Sequence, residues 1–263
     1  MVFIRPTISL LFLLCVVWIN SEPAPVVYIT STERKYFEAY NTAVQISSQN
    51  VDLAISHYKY ALSGIPNLPQ AHQNLAILYD QIGAVDLALK HHYAAAASSD
   101  SNEFIASCYC NIAMLQMGLL SNKNIDGMMP TLVLLRKAKE IDPSSSNVVL
   151  NYAFAYTSIG YFEDAALAVV ELLTKYNPHD VLGLLNLGNY YFRLNDFRTA
   201  TFFYVKVLHQ YTVHHNNYRD DPTKVLLILN NLGQNFRELG MLYQSYNALS
   251  FGVQELGLYQ LSR

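Results

Sequence analysis

The chain has 263 residues, of which 52% are hydrophobic and only 14% charged, with a formal net charge of −3. That much apolar material over that length excludes a disordered, solvating tail and supports an extended folded core. The acidic balance excludes a nucleic-acid binder, which needs a basic face, and the charge falls to −4 once Arg5 is removed with the N-terminal segment described next.

In chain order, residues 1–21 read as a signal peptide. Arg5 supplies the positive n-region and Ile8 to Ile19 the apolar h-region, and Ile19 and Ser21 form a −3/−1 pair for cleavage before Glu22. An uncleaved anchor is the competing reading, but that run is well short of the roughly 20 apolar residues that span a bilayer. Asn151, Glu163, Asp164 and Arg193 interrupt the later apolar stretches, so no membrane span is expected after cleavage. The expected localisation is the secretory pathway, either the ER lumen or the outside of the cell. Residues 22–32 read as a linker. Cys15 leaves with the signal, and Cys108 and Cys110, at i and i+2 on a helix, point apart and cannot bridge each other. No Asn-x-Ser/Thr sequon is present.

From residue 33 to 259 the chain repeats itself. Anchoring on one asparagine per unit gives Asn41, Asn74, Asn111, Asn151, Asn186 and Asn231, each followed two residues later by Ala43, Ala76, Ala113, Ala153, Gly188 or Gly233. A small side chain at one fixed helical position lets a second helix pass close by. Five residues after the anchor stand Ile46, Tyr79, Gln116, Tyr156, Tyr191 and Phe236. Nine residues after it stand Asn50, Gly83, Gly160, Asn195 and Gly240, the residue types that accept the left-handed conformation closing a helix. A second helix then carries Ala54, Ala88, Ala165, Ala200 or Ser245, with Tyr58, His92, Val169, Tyr204 or Leu249 one turn later. Pro66, Asp100, Pro143 and Pro178 punctuate the ends of units.

These offsets resemble the tetratricopeptide repeat, a helix-turn-helix unit of about 34 residues. Ala54 to Ala88 spans 34 residues and Ala165 to Ala200 spans 35. The resemblance implies an all-α fold, a right-handed α-solenoid of about six repeats, with units near 33–68, 69–102, 103–145, 146–180, 181–222 and 223–259. Ala88 to Ala165 spans 77 residues, with its surplus near Ser121–Gly127. Ala200 to Ser245 spans 45, with its surplus around His214–Pro222. Both surpluses read as loops or extra helical turns.

In such arrays the first helices line a concave groove. The anchor asparagines Asn74, Asn111, Asn151, Asn186 and Asn231 would recur along it, each amide matching the N–H and C=O of a peptide bond. The arrangement is similar to the asparagine ladder of tetratricopeptide-containing protein glycosyltransferases, although asparagine at this position also serves to tie neighbouring helices together. Flanking positions Gln73 and Ile77, Cys110 and Met114, Leu150 and Phe154, Leu185 and Asn189, Asn230 and Gln234, with Met117, Leu182 and Phe192 a turn away, make the middle of the groove apolar. Lys and Arg are missing from the places where a carboxylate clamp would need them, which excludes capture of acidic chaperone tails.

No catalytic constellation is present: no Gly-x-Ser-x-Gly elbow, Gly-rich phosphate loop, His-Glu-x-x-His or Cys-x-x-Cys. His91 and His92 diverge on a helix and cannot share a metal, while His214, His215, Asp220 and Asp221 read as a solvated insertion. No enzyme activity and no cofactor are expected. The resemblance implies a scaffold binding extended protein or peptide. The alternatives are the substrate-recruiting region of a larger or degenerate secretory enzyme, akin to a glycosyltransferase or prolyl hydroxylase, and an ER co-chaperone or holdase. The last helix, near Tyr243 to Tyr259, carries more apolar surface than its own unit covers, so docking on a second copy, on a partner or on further sequence of a longer chain is expected there.

Overall fold

The computed structural model describes residues 31–120, 125–214 and 222–251. The signal peptide, most of the linker, the His215–Asp221 insertion and the apolar residues Leu256, Leu258 and Tyr259 lie outside them. Two compact units divide the chain at Leu119. The first contains α1 (Ser31–Ile46), α2 (Val51–Gly64), α3 (Pro69–Gln81), α4 (Val85–Ala97) and α5 (Asn102–Leu119). The second contains α6 (Ile125–Ile141), α7 (Ser146–Ser158), α8 (Phe162–Glu171, closing in a π-helical turn Leu172–Tyr176), α9 (Val181–Arg193), α10 (Phe197–His214), α11 (Pro222–Glu238) and α12 (Leu242–Phe251). Among the described residues there is no strand. Within each unit successive helices pack on one another. The expected third repeat, 103–145, gives α5 to the first unit and α6 to the second.

The helix ends follow from short-range chemistry repeated at one register. After α3, α7, α9 and α11 the backbone turns left-handed at Gly83 (φ 75°), Gly160 (91°), Asn195 (58°) and Gly240 (74°). In each case the next N–H reaches back to the carbonyl five residues earlier: Ala84 to Tyr79 at 2.8 Å, Tyr161 to Tyr156 at 2.9 Å, Asp196 to Tyr191 at 3.0 Å and Met241 to Phe236 at 2.8 Å. The left-handed residue itself bonds three back, completing a Schellman closure that satisfies otherwise orphaned carbonyls. Asn50 departs from this expectation. Its φ is −145° and its side chain accepts from Leu53 N at 3.0 Å, so it starts α2 as an N-cap and does not close α1 in the left-handed region. An asparagine serves either purpose, and here the cap of a following helix claims it. Ser145 and Asp180 cap α7 and α9 in the same way.

Both sequence surpluses become helix where they are described. Relative to the anchor asparagine, α5 and α11 each start about a turn earlier than α3, α7 and α9, and α10 runs to 18 residues. Helix α6 takes in Asp126, Gly127 and Pro130, although a proline at that point gives up its bond to the Asp126 carbonyl.

The core forms where the two helix types of each hairpin cross. Ala43, Ala76 and Ala113 of the first helices and Ala54, Ala88 and Ala200 of the second are all fully buried. In the first unit these alanines let Tyr40, Tyr58, Leu75 and Leu78 interdigitate, the Tyr40 and Tyr58 rings lying 5.8 Å apart. In the second, α10 sets Tyr204 directly against Gly188 of α9, where a Cβ would lie 2.6 Å from the ring. Helix α12 sets Leu249 against Gly233 of α11 in the same manner, and Ser245 Oγ donates to the Gly233 carbonyl at 2.7 Å. Cys108 and Cys110 are buried and form no disulfide; burial pushes the Cys108 thiol up to about 12, which leaves it a packing group.

Candidate functional site

Burial varies along the expected ligand stripe. In the first unit, Asn74 is 1% exposed, its Nδ2 donates to Tyr58 OH at 3.1 Å, and it therefore ties α3 to α2. Gln73, Ile77, Cys110 and Met117 are buried as well and do not line an open face. These side chains are consumed by packing, because helices this rich in alanine approach closely enough to cover them. On α5, Asn111 and Met114 remain half-buried.

The second unit keeps its stripe open. On α7, Leu150, Asn151 and Phe154 are half-buried. So are Leu182, Leu185, Asn186, Asn189 and Phe192 on α9, and Asn231 and Gln234 on α11, with Asn230 exposed. Helix α7 packs on α9, and Asn231 Nδ2 donates to Asn189 Oδ1 at 3.2 Å, joining α11 to α9. Tyr204 OH donates to the same oxygen at 2.8 Å. That oxygen has both lone pairs occupied, while the Asn189 Nδ2 donors and the Asn231 Oδ1 acceptor have no partner among the described residues. A donor and an acceptor thus stand side by side, the complement of a peptide group. Asn151 has no side-chain bond among the described residues, and Asn186 spends one donor on the Leu182 carbonyl of its own helix at 2.8 Å. Phe192 packs edge-on against Phe197 at 5.5 Å, which fixes the ring that closes one end of the stripe. The surface is amide and apolar, suited to polypeptide backbone more than to a charged ligand.

Two clusters escaped the sequence reading. His91 pairs across the helix hairpin with His72 of α3, Nδ1 to Nδ1 at 2.9 Å, and stacks on Tyr79. His72 Nε2 lies 2.8 Å from the Pro66 carbonyl, which only an N–H can bond, so His72 carries its proton there and accepts from the Nδ1–H of His91. His92 points into the core at 3% exposure, as divergence on a helix requires. Burial, then the neighbouring His72, Lys90 and Lys59, brings His91 down to about 4. Burial followed by His91 does the same for His92. The second cluster is on α6 to α8. Arg136 Nη2 donates to Tyr156 OH at 3.0 Å, Tyr152 stacks on Tyr156 at 4.2 Å, and Lys139 and Lys175 clamp Glu171 at 2.8 and 3.0 Å, holding its carboxyl below the usual range. No spacing rule links residues 19 or 20 apart on different helices, so only the hairpin geometry reveals these pairs.

No family model matches the sequence, and no curated protein is similar to it. Solved structures do share its fold. PilW, a widely conserved type IV pilus biogenesis factor, superimposes with a TM-score of 0.62 at 17% identity, covering 86% of this chain and 94% of its own. PilF of Pseudomonas aeruginosa gives 0.59 at 16% identity, covering 88% and 99%. The C-terminal part of a TPR repeat-containing protein from Cytophaga hutchinsonii gives 0.62 at 12% identity, covering 87% and 88%. The chain therefore has the all-α solenoid fold of tetratricopeptide-repeat proteins.

Proposed function

We propose that this chain is a non-enzymatic protein–protein interaction scaffold of the secretory pathway that holds extended polypeptide along the inner stripe of its second unit. The observation that carries the reading is the pair Asn189 and Asn231. Two half-buried amides are fixed to each other and to Tyr204, yet keep one donor side and one acceptor without a partner among the described residues. Pre-oriented amides lose little entropy on binding, and Leu150, Phe154, Leu185 and Phe192 supply apolar contact beside them. Asn151 and Asn186 extend the same row toward α7. Arg5 followed by the Ile8–Ile19 run supports the secretory assignment. The described residues contain no helix long and apolar enough to cross a membrane.

A partner also fits the exposed face of α12, where Leu242, Tyr243 and Tyr246 are 68%, 74% and 66% exposed. Leu249 on the same helix is partly taken up by Gly233.

The groove is tested by fluorescence anisotropy of a panel of extended, uncharged apolar peptides against the wild-type chain and the Asn151→Ala, Asn186→Ala and Asn231→Ala variants. Each lost amide is expected to weaken binding by about tenfold or less, at a net value near 1 kcal/mol per hydrogen bond. Melting temperature should stay put for Asn151→Ala. Equal loss of binding and stability in all three would assign the row to structure instead.

A further inference from the structure

The second helices of the second unit show a pattern on their outer side that the inner stripe does not explain. Thr131, Ala165 and Ala200 of α6, α8 and α10 are small residues buried near the start of each helix. Two positions later, about 200° around each helix, stand Val133, Leu167 and Phe202, which are 55%, 60% and 53% exposed. The equivalent positions of the first unit, after Ala54 and Ala88, carry the exposed polar residues Ser56 and Lys90. Among the described second helices the apolar residue at this place is therefore confined to α6, α8 and α10, since α12 carries the exposed Asn247 two residues after Ser245.

On α8 and α10 the row extends in one register. Glu163, Leu167 and Val170 occupy on α8 the places that Arg198, Phe202 and Val205 occupy on α10, all within about 60° of one another around the helix. All six are exposed. Helix α9 packs on both α8 and α10 and joins them by short turns, so the two run in the same direction. The apolar residues match along the two helices, and the charge at the leading position reverses. Neither Glu163 nor Arg198 has an ion-pair partner among the described residues. A two-fold axis parallel to these helices and midway between them would set α8 of one molecule on α10 of another. Glu163 would then meet Arg198 of the second copy, Leu167 its Phe202 and Val170 its Val205, each contact made twice.

We propose that this outer face is a self-association surface, and that the occupant of the α8–α10 stripe is a second copy of the same chain in an isologous, two-fold dimer. The charge reversal carries the choice of occupant. A self-complementary interface is favoured by opposite signs at positions that face each other across the axis, whereas a surface for an unrelated partner has no reason to pair its own two helices.

Sedimentation equilibrium of the full chain decides the matter. The wild-type chain is expected to dimerise. Glu163→Arg and Arg198→Glu are each expected to raise the dissociation constant by about a hundredfold, since like charges then face each other twice. The double variant should regain the wild-type value. Circular dichroism should be unchanged throughout, because both side chains are solvent-exposed in the single chain, and the melting temperature of the single variants should fall only at protein concentrations where the wild-type chain is dimeric. A wild-type chain that stays monomeric to its solubility limit overturns the proposal. So do single reversals without effect, or a double variant no better than the singles. Dissociation by Tyr246→Asp in α12, with both reversals silent, would move the interface to the last helix and equally overturn it.

Discussion

Replacing Gly188 by alanine sets two known effects of opposite sign against each other, and the structure says which wins. In an ordinary helix interior the change stabilises by about 1 kcal/mol, because glycine loses more backbone freedom on folding. At position 188 the new Cβ would lie 2.6 Å from Cε1, 2.7 Å from Cδ1 and 3.2 Å from Cζ of Tyr204. That ring cannot swing aside cheaply. It is 1% exposed, and its hydroxyl is held by Asn189 Oδ1 at 2.8 Å. Overpacking of this kind costs about 1–3 kcal/mol, and contact with a tethered aromatic ring belongs at the upper end. The net expectation is a loss of about 2 kcal/mol, or about 4–8 °C in melting temperature for a chain of this length. Gly118 serves as the control: nothing lies within 4 Å of its Cβ position, so the same substitution should be neutral or stabilising. Thermal unfolding followed by circular dichroism reads both. Combining Gly188→Ala with Tyr204→Leu should recover part of the loss, giving a coupling energy that relieves the clash. If Gly188→Ala instead raises the melting temperature as Gly118→Ala does, the α9–α10 crossing described above is wrong.

Ala200→Leu, at a fully buried crossing, should cost about 1–3 kcal/mol, and an unchanged melting temperature would overturn the register of that repeat. Stability should also depend on pH through the first unit. His91 and His92 stay neutral in the fold down to about pH 4, whereas an unfolded chain protonates them near 6.5, so the unfolded state binds more protons between those values. Stability is then full above pH 6.5 and declines as the pH falls from 6.5 toward 4. Urea midpoints at pH 7.5 and 5 check this, and a flat profile would contradict the burial of His92 and the His72–His91 pair. Asn74→Ala should lower the melting temperature by removing the donor to Tyr58 OH inside the core, in contrast to Asn151→Ala, whose half-buried amide has no bond within the described residues.

Helix closure was legible in the sequence because it is local. Glycine or asparagine nine residues after the anchor takes the left-handed turn at 83, 160, 195 and 240, for reasons contained within six residues of chain. The same pattern misassigned Asn50, since one residue type serves both to end a helix and to begin the next, and the hydrogen bond to Leu53 decides between them. The small residues at 43, 54, 76, 88, 165, 188, 200 and 233 announced close crossings correctly, because a small side chain at a fixed helical position has few other uses. What each anchor asparagine does was beyond the sequence. Asn74, Asn186 and Asn231 are identical in pattern, yet one is sealed against Tyr58, one bonds its own helix and one joins α11 to α9. Periodicity fixes the face on which a residue stands, because 3.6 residues per turn is a property of the backbone. Whether that face is covered depends on how closely neighbouring helices approach, and which atoms meet across a hairpin depends on three-dimensional packing. Tertiary structure alone therefore covered the stripe on α3, left its asparagines half-buried on α5, α7, α9 and α11, and brought His72 to His91.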